Sequence, residues 1–189
     1  MKKTKIVLLL ILSLALLSAC STNKQVEKVI TPFSFTNEDG QPFGMNELTG
    51  SIWIADFIFT KCETVCQPMT AEMAFLQQKF NDEGIQVEFV SFTVDPSVDS
   101  PKALKSYVGD FTDDLSNWHL LTGYSQDEIE VFAREQFQTI VQKPISANQV
   151  IHSTNFYLID QQGALVNEYN YIDDTYVDDM IKDIKSILN

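Results

Sequence analysis

The chain has 189 residues, three cysteines and a formal net charge of −13. That length suits one domain plus a targeting segment. So acidic a chain repels the phosphate backbone, which excludes nucleic-acid binding, and the charge otherwise fits either solubility or attraction of cations.

The first residues, M-K-K-T-K, are basic, and residues 6–17 form an apolar run broken only by Ser13. A bilayer span needs about 20 apolar residues, so the run is too short to cross and fits the h-region of a secretory signal. A buried core helix would also be apolar, but the basic start and the cysteine just after the run argue against one. The run ends L-S-A-C-S at Leu17 to Ser21. Small residues ahead of a cysteine resemble the lipobox of bacterial lipoproteins. That resemblance implies a signal peptide at residues 1–19 and a diacylated Cys20 as the new N-terminus, and two acyl chains anchor a protein where one is marginal. Cleavage would remove Lys2, Lys3 and Lys5 and take the formal charge from −13 to −16. Residues 20–32 then read as the lipidated N-terminus with a polar tether. Residues 33–189 read as one α/β domain.

Within that domain, Phe33 to Phe43 alternates apolar and polar residues and turns at Asp39-Gly40, the pattern of a hairpin. I-W-I-A-D-F-I-F, Ile52 to Phe59, is nearly all apolar and reads as a strand buried on both faces. Met69, Met73, Leu76 and Phe80 then form one helical stripe, with Pro68 suited to the first turn and Gly84 to the stop. Val87 to Val94 is a second buried strand, which completes a parallel, right-handed β-α-β unit. Pro101 to Val108 reads as a short helix and Trp118 to Gly123 as a weaker strand. Ser125 and Glu128 form a capping box that opens a helix through about Phe137. Phe156 to Asp160 is a strand, Q-Q-G turns, and A-L-V-N-E-Y-N-Y returns as another. Asp174 to Leu188 closes the chain as an amphipathic helix. This order is that of a thioredoxin-like fold with an N-terminal β-hairpin and inserted segments.

F-T-K-C-E-T-V-C-Q-P-M, Phe59 to Met69, places Cys62 and Cys66 between a buried strand and a helix N-terminus. Strand ends in open α/β sheets are where ligands bind, and the helix start favours thiolate. Thiolate is both the nucleophile of disulfide exchange and the metal-binding form, so position alone supports redox and metal roles equally. Ordinary thioredoxin-like oxidoreductases carry C-x-x-C, whereas three residues intervene here. A purely structural staple is the weaker reading, because so small a ring constrains the unfolded chain little.

Of the two histidines, His119 lies inside W-H-L-L-T-G and reads as a strand residue on a sheet face. His152 precedes a strand, in V-I-H-S-T-N-F-Y-L-I-D. In thioredoxin-like folds the loop entering that strand faces the active-site cysteines and usually carries a cis-proline; here a histidine is offered instead. Two thiolates and an imidazole form a soft set that favours copper or zinc. A structural zinc site wants four protein ligands, and the sequence offers no good fourth.

Three segments together resemble the Sco family of copper-binding assembly proteins for cytochrome c oxidase. They are F-T-K-C-E-T-V-C at Phe59 to Cys66, T-V-D-P-S-V-D-S-P at Thr93 to Pro101, and H-S-T-N-F-Y-L-I-D at His152 to Asp160. The resemblance implies copper ligands at Cys62, Cys66 and His152. It also marks Asp95 as an acidic residue near the site, either supporting the ligands from behind or fixing the turn after its strand. Many relatives have C-P-x-x-C-P, where this chain has Glu63 and Gln67, with Pro68 one residue later. The implied role is a metallochaperone on the extracytoplasmic face of the cell membrane, held by lipid, that serves the CuA site of oxidase subunit II. The alternatives are a thiol–disulfide reductase, with Cys62 and Cys66 closing a reversible disulfide to keep the CuA cysteines reduced, and a redox or copper sensor.

Overall fold

The structure, a computed structural model, describes residues 28–188. The expected signal peptide and Cys20 lie outside the described residues. The central sheet has six strands: β1 (Lys28–Val29), β4 (Trp53–Ile58), β5 (Glu88–Thr93), β6 (Trp118–Leu121), β7 (Asn155–Ile159) and β8 (Ala164–Asn170), in the order β1-β8-β7-β4-β5-β6. β4, β5 and β6 run parallel, while β7 is antiparallel to both β4 and β8. A separate hairpin pairs β2 (Ser34–Thr36) with β3 (Pro42–Gly44), with Phe35 opposite Phe43. The helices are α1 (Met45–Leu48), α2 (Cys66–Glu83), α3 (Pro101–Val108), α4 (Gln126–Phe137) and α5 (Tyr176–Ile187).

The tether was expected to run through residue 32, but the sheet takes up the chain earlier. Lys28 and Val29 pair with Leu165 and Ala164, and Ile30 is 1 % exposed. Two residues in a polar context carry no strand periodicity, so only the free edge of β8 gives this segment its conformation.

Alternation along β4 and β5 builds a core on both faces. On one face Phe89 stacks on Phe80 of α2. Tyr107 of α3 and Tyr176 of α5 reach α2 through Thr70 and Glu72. On the other face Trp53 and Phe57 meet Phe137 of α4 edge-on, and Phe33 and Phe35 of the hairpin segment pack against Phe132. Met69, Met73, Leu76 and Phe80 are all buried, as their spacing requires. Gly84 stops α2 in the left-handed region at φ 69, where its N–H reaches Asn81 O at 3.1 Å and that of Ile85 reaches Phe80 O at 2.9 Å. The Ser125–Glu128 capping box closes at 3.3 and 2.7 Å.

One residue breaks the apolar logic of β4. Asp56 stands opposite Ser91 on β5, is fully buried, and has no hydrogen-bond partner at either carboxylate oxygen among the described residues. Burial pushes its pKa up to about 7, and the nearby Ser91 hydroxyl, which falls short of a formed hydrogen bond, and the charge of His152 relieve only part of that cost. The folded state therefore keeps a proton that the unfolded chain releases near pH 4. Stability should fall as pH rises through that window, by roughly 4 kcal/mol once the group is fully ionised. Thermal unfolding of wild type and Asp56→Asn at pH 5 and pH 8 measures this. The variant should gain on wild type at the higher pH, and an identical pH dependence in the two would show that the carboxyl carries no such penalty.

Candidate metal centre

β4 ends where the dithiol loop begins, and the buried Asp99 fixes that end. Its carboxylate accepts from Thr60 N–H at 3.1 Å, from Thr60 Oγ1 at 2.6 Å and from Thr93 Oγ1 at 2.5 Å. One side chain thus ties together the C-terminal ends of β4 and β5. Nothing in the sequence pattern singles Asp99 out beyond its place in D-P-S-V-D-S-P.

Cys66 opens α2, whose N-cap, Val65, supplies no side-chain acceptor. The sulfur of Cys62 stands in, accepting the Cys66 N–H at 3.4 Å. An anionic sulfur there meets the partial positive charge of the helix start. Both cysteines are free thiols; Cys62 is 8 % exposed and Cys66 is fully buried.

His152 enters from the other side of the sheet edge, three residues before β7. Its Nδ1 lies 2.9 Å from Ser153 O, and a carbonyl only accepts, so Nδ1 carries a proton. That leaves Nε2 facing the sulfurs, 3.2 Å from Cys66 Sγ. The ring meets Phe59 edge-on at 5.7 Å between centroids. The ligand atoms of Cys62, Cys66 and His152 all lie within 4.8 Å of one another. That spread is close to what one ion spans with ligand bonds of about 2.0–2.3 Å. Two sulfurs and an imidazole suit a soft or borderline ion.

The two sulfurs are electrostatically unequal. Burial pushes the Cys62 thiol up, but hydrogen bonding outweighs it and brings the group down to about 5: from His152 when Nε2 carries a proton as well as Nδ1, from Cys66, and from the N–H groups of Thr64 and Cys66. Burial pushes Cys66 far up, and the neighbouring Cys62 and Asp56 charges add to that. Of the two, Cys62 is therefore the sulfur that ionises first, and Cys66, the more deeply buried, holds its proton.

Asp95 does not join the three. Buried, it accepts from Lys143 Nζ and Ser97 Oγ, both at 2.7 Å, through Oδ1, while its own N–H reaches Thr93 Oγ1 at 3.1 Å. It shapes the turn after β5 and holds Lys143 in the segment leading to His152. His119 sits on β6, stacked on Phe43 at 3.9 Å and 3.1 Å from Glu88, apart from the three ligand residues.

The inequality of the sulfurs is testable in the reduced chain. Iodoacetamide should modify Cys62 with a rate half-maximal near pH 5 and leave Cys66 untouched at neutral pH, as read by peptide mass. His152→Ala should move that midpoint upward, toward the ordinary thiol value of about 8.5. A variant midpoint still near 5 would show that the ring does not stabilise the thiolate.

Comparison with known proteins agrees with this geometry. The SCO1/SenC family model matches residues 21–189. A SCO1/SenC family lipoprotein from Bacillus anthracis superposes with a TM-score of 0.84 at 48% identity, covering 88% of this chain and 99% of that one. BsSco, a member of the Sco family of cytochrome c oxidase assembly proteins in which a disulfide switch is identified, superposes at 0.78 with 46% identity, covering 86% and 94%. Yeast Sco1 with copper bound superposes at 0.69 with 28% identity, covering 84% and 90%. With a thioredoxin-like sheet, a C-x-x-x-C loop at the end of β4 and a histidine facing it, this chain belongs to the SCO1/SenC family.

Proposed function

We propose that this protein is a membrane-anchored copper metallochaperone that serves copper insertion into the CuA site of cytochrome c oxidase subunit II. The observation that carries the reading is the convergence of two sulfurs and one imidazole within 4.8 Å, in a family with a copper-bound member. The donor set fits the ion: thiolate and imidazole are copper ligands, and three of them leave room for a ligand from the recipient. The Cys62 thiol lies well below its ordinary value, so its proton is the easier of the two to give up. Cys66 must release one when the ion is taken up, so uptake should be favoured as pH rises. Cys62 is 8 % exposed and Cys66 not at all, so ligands of the recipient would reach the centre from the Cys62 side, past the exposed Lys61, Glu63 and Thr64. A lipid on Cys20 would hold the domain on the extracytoplasmic face of the cell membrane, and the lipoprotein relative supports that anchor.

A second reading, a thiol–disulfide reductase for the CuA cysteines, is favoured by the unequal sulfurs and by the disulfide switch of BsSco. The Cys62 thiolate would attack a target disulfide and form a mixed disulfide, releasing one target sulfur as thiolate. Cys66 would then lose its proton and attack Cys62, closing the Cys62–Cys66 disulfide and releasing the second target sulfur. Two electrons pass to the target, and an external dithiol must reopen the pair.

Copper titration of the reduced chain, wild type beside His152→Ala, tests the first reading. Affinity should fall by orders of magnitude in the variant, with loss of oxidase assembly at low copper. Oxidation of Cys62 and Cys66 to the disulfide should abolish binding, and equal affinity in both redox states would sink the ligand assignment. For the anchor, Cys20→Ala should end incorporation of a lipid probe, and continued labelling would remove that claim.

A further inference from the structure

The loop that carries Cys62 is pinned at both ends and open in the middle. Thr60 is held by Asp99, and Cys66 is held in the first turn of α2. Between them Lys61, Glu63 and Thr64 are exposed. Among the described residues, one side chain from elsewhere in the chain hydrogen-bonds the backbone of residues 61–65, and it is Gln149. Its Nε2 donates to Lys61 O at 3.0 Å and its Oε1 accepts from Glu63 N–H at 3.3 Å. The two contacts bracket Cys62. They also fix the orientation of the amide, because turning it over would set its NH2 against an N–H and its oxygen against a carbonyl.

The other end of this clamp is itself anchored. Gln149 stands three residues before His152, in a segment closed at its base by reciprocal 2.9 Å hydrogen bonds between Gln142 and Ile151. Lys143 of the same segment bonds Asp95 at 2.7 Å. The Gln149 side chain therefore joins the piece of backbone that presents one sulfur to the piece that presents the imidazole, across 86 and 88 residues of sequence.

We propose that Gln149 is the positioning residue of this centre: by holding the peptide on both sides of Cys62 against the segment leading into His152, it fixes the Cys62 sulfur relative to the ring before the metal ion arrives. The proposal rests on the copper reading above. Its hydrogen bonds go to backbone atoms and it carries no charge, so it acts by geometry alone. Ligands set in place beforehand bind more tightly because the ordering cost is already met by the fold.

The test uses the full chain, detergent-solubilised and reduced, as wild type, Gln149→Ala and Gln149→Glu. The glutamate sets a carboxylate oxygen against the Lys61 carbonyl, and that repulsion drives the side chain off the loop and frees Glu63 N–H too, so it should fail as the alanine does. Both variants should bind copper about 10- to 100-fold more weakly, the usual cost of losing a group that orients a ligand. Their thiolate-to-Cu(II) absorption should shift. In the metal-free chain their Glu63 amide should exchange with solvent several-fold faster, at an unchanged unfolding temperature. Wild-type copper affinity and absorption in both variants would overturn the proposal and leave the copper reading standing. A loss of affinity that merely follows a fall in unfolding temperature would also overturn it. Failure of wild type to take up copper would overturn the copper reading itself. Glu63 exchange then still decides the clamp: faster exchange in the variants keeps Gln149 as the residue that positions Cys62, and unchanged exchange removes it.

Discussion

The antiparallel pairing of β4 with β7 is the constraint on which the centre depends. Trp53 lies opposite Ile159 and Ala55 opposite Tyr157, so β4 ends at the same sheet edge where β7 begins. A loop leaving β4 and a loop entering β7 must therefore meet. Cys62 and Cys66 come from the first and His152 from the second, which brings groups 86 residues apart to 3.2 Å. A parallel β4–β7 pair would have put the histidine at the opposite edge.

Around that meeting point the fold spends polar groups on holding loops. Asp99 fixes the start of the dithiol loop, Asp95 holds Lys143, and Gln149 brackets Cys62. The same region stores an opposing electrostatic cost. Asp56 of β4 and the buried Cys66 each resist ionisation, and charge on Asp56 raises the cost of charge on Cys66. Cys62, at the helix start and beside the imidazole, is relieved of that cost. An ion bound by the three ligands would bring positive charge to a place where the protein holds negative charge at a disadvantage, so a charge unfavourable to the empty fold favours the loaded one.

Much of this was readable residue by residue. The 4-3-4 stripe from Met69 to Phe80 became the buried face of α2, and Ser125 and Glu128 closed their cap as the spacing demanded. These features are local: their partners lie within a turn or two, and the backbone period fixes who meets whom. The three residues that converge at the candidate centre were legible for a different reason. Each is a rare type in this chain and sits at a junction between elements, where sheet topology gathers loops. The start of the domain was not legible, because Lys28 and Val29 have no pattern of their own and take their strand from the edge of β8. The partner of Asp95 was not legible either, since Lys143 lies 48 residues away.

The sequence by itself determined the main strands and helices, their order, the acidic charge and the candidates Cys62, Cys66 and His152, because periodicity, caps and residue chemistry are properties of short stretches. Only the tertiary structure decided that the Cys62 thiol is lowered and the Cys66 thiol raised, that Asp56 has no hydrogen-bond partner among the described residues, and that Gln149 rather than a charged residue spans the two loops. Those outcomes turn on burial and on distances of about 3 Å between segments far apart in the chain. Such distances are fixed when the strands take their register and not before.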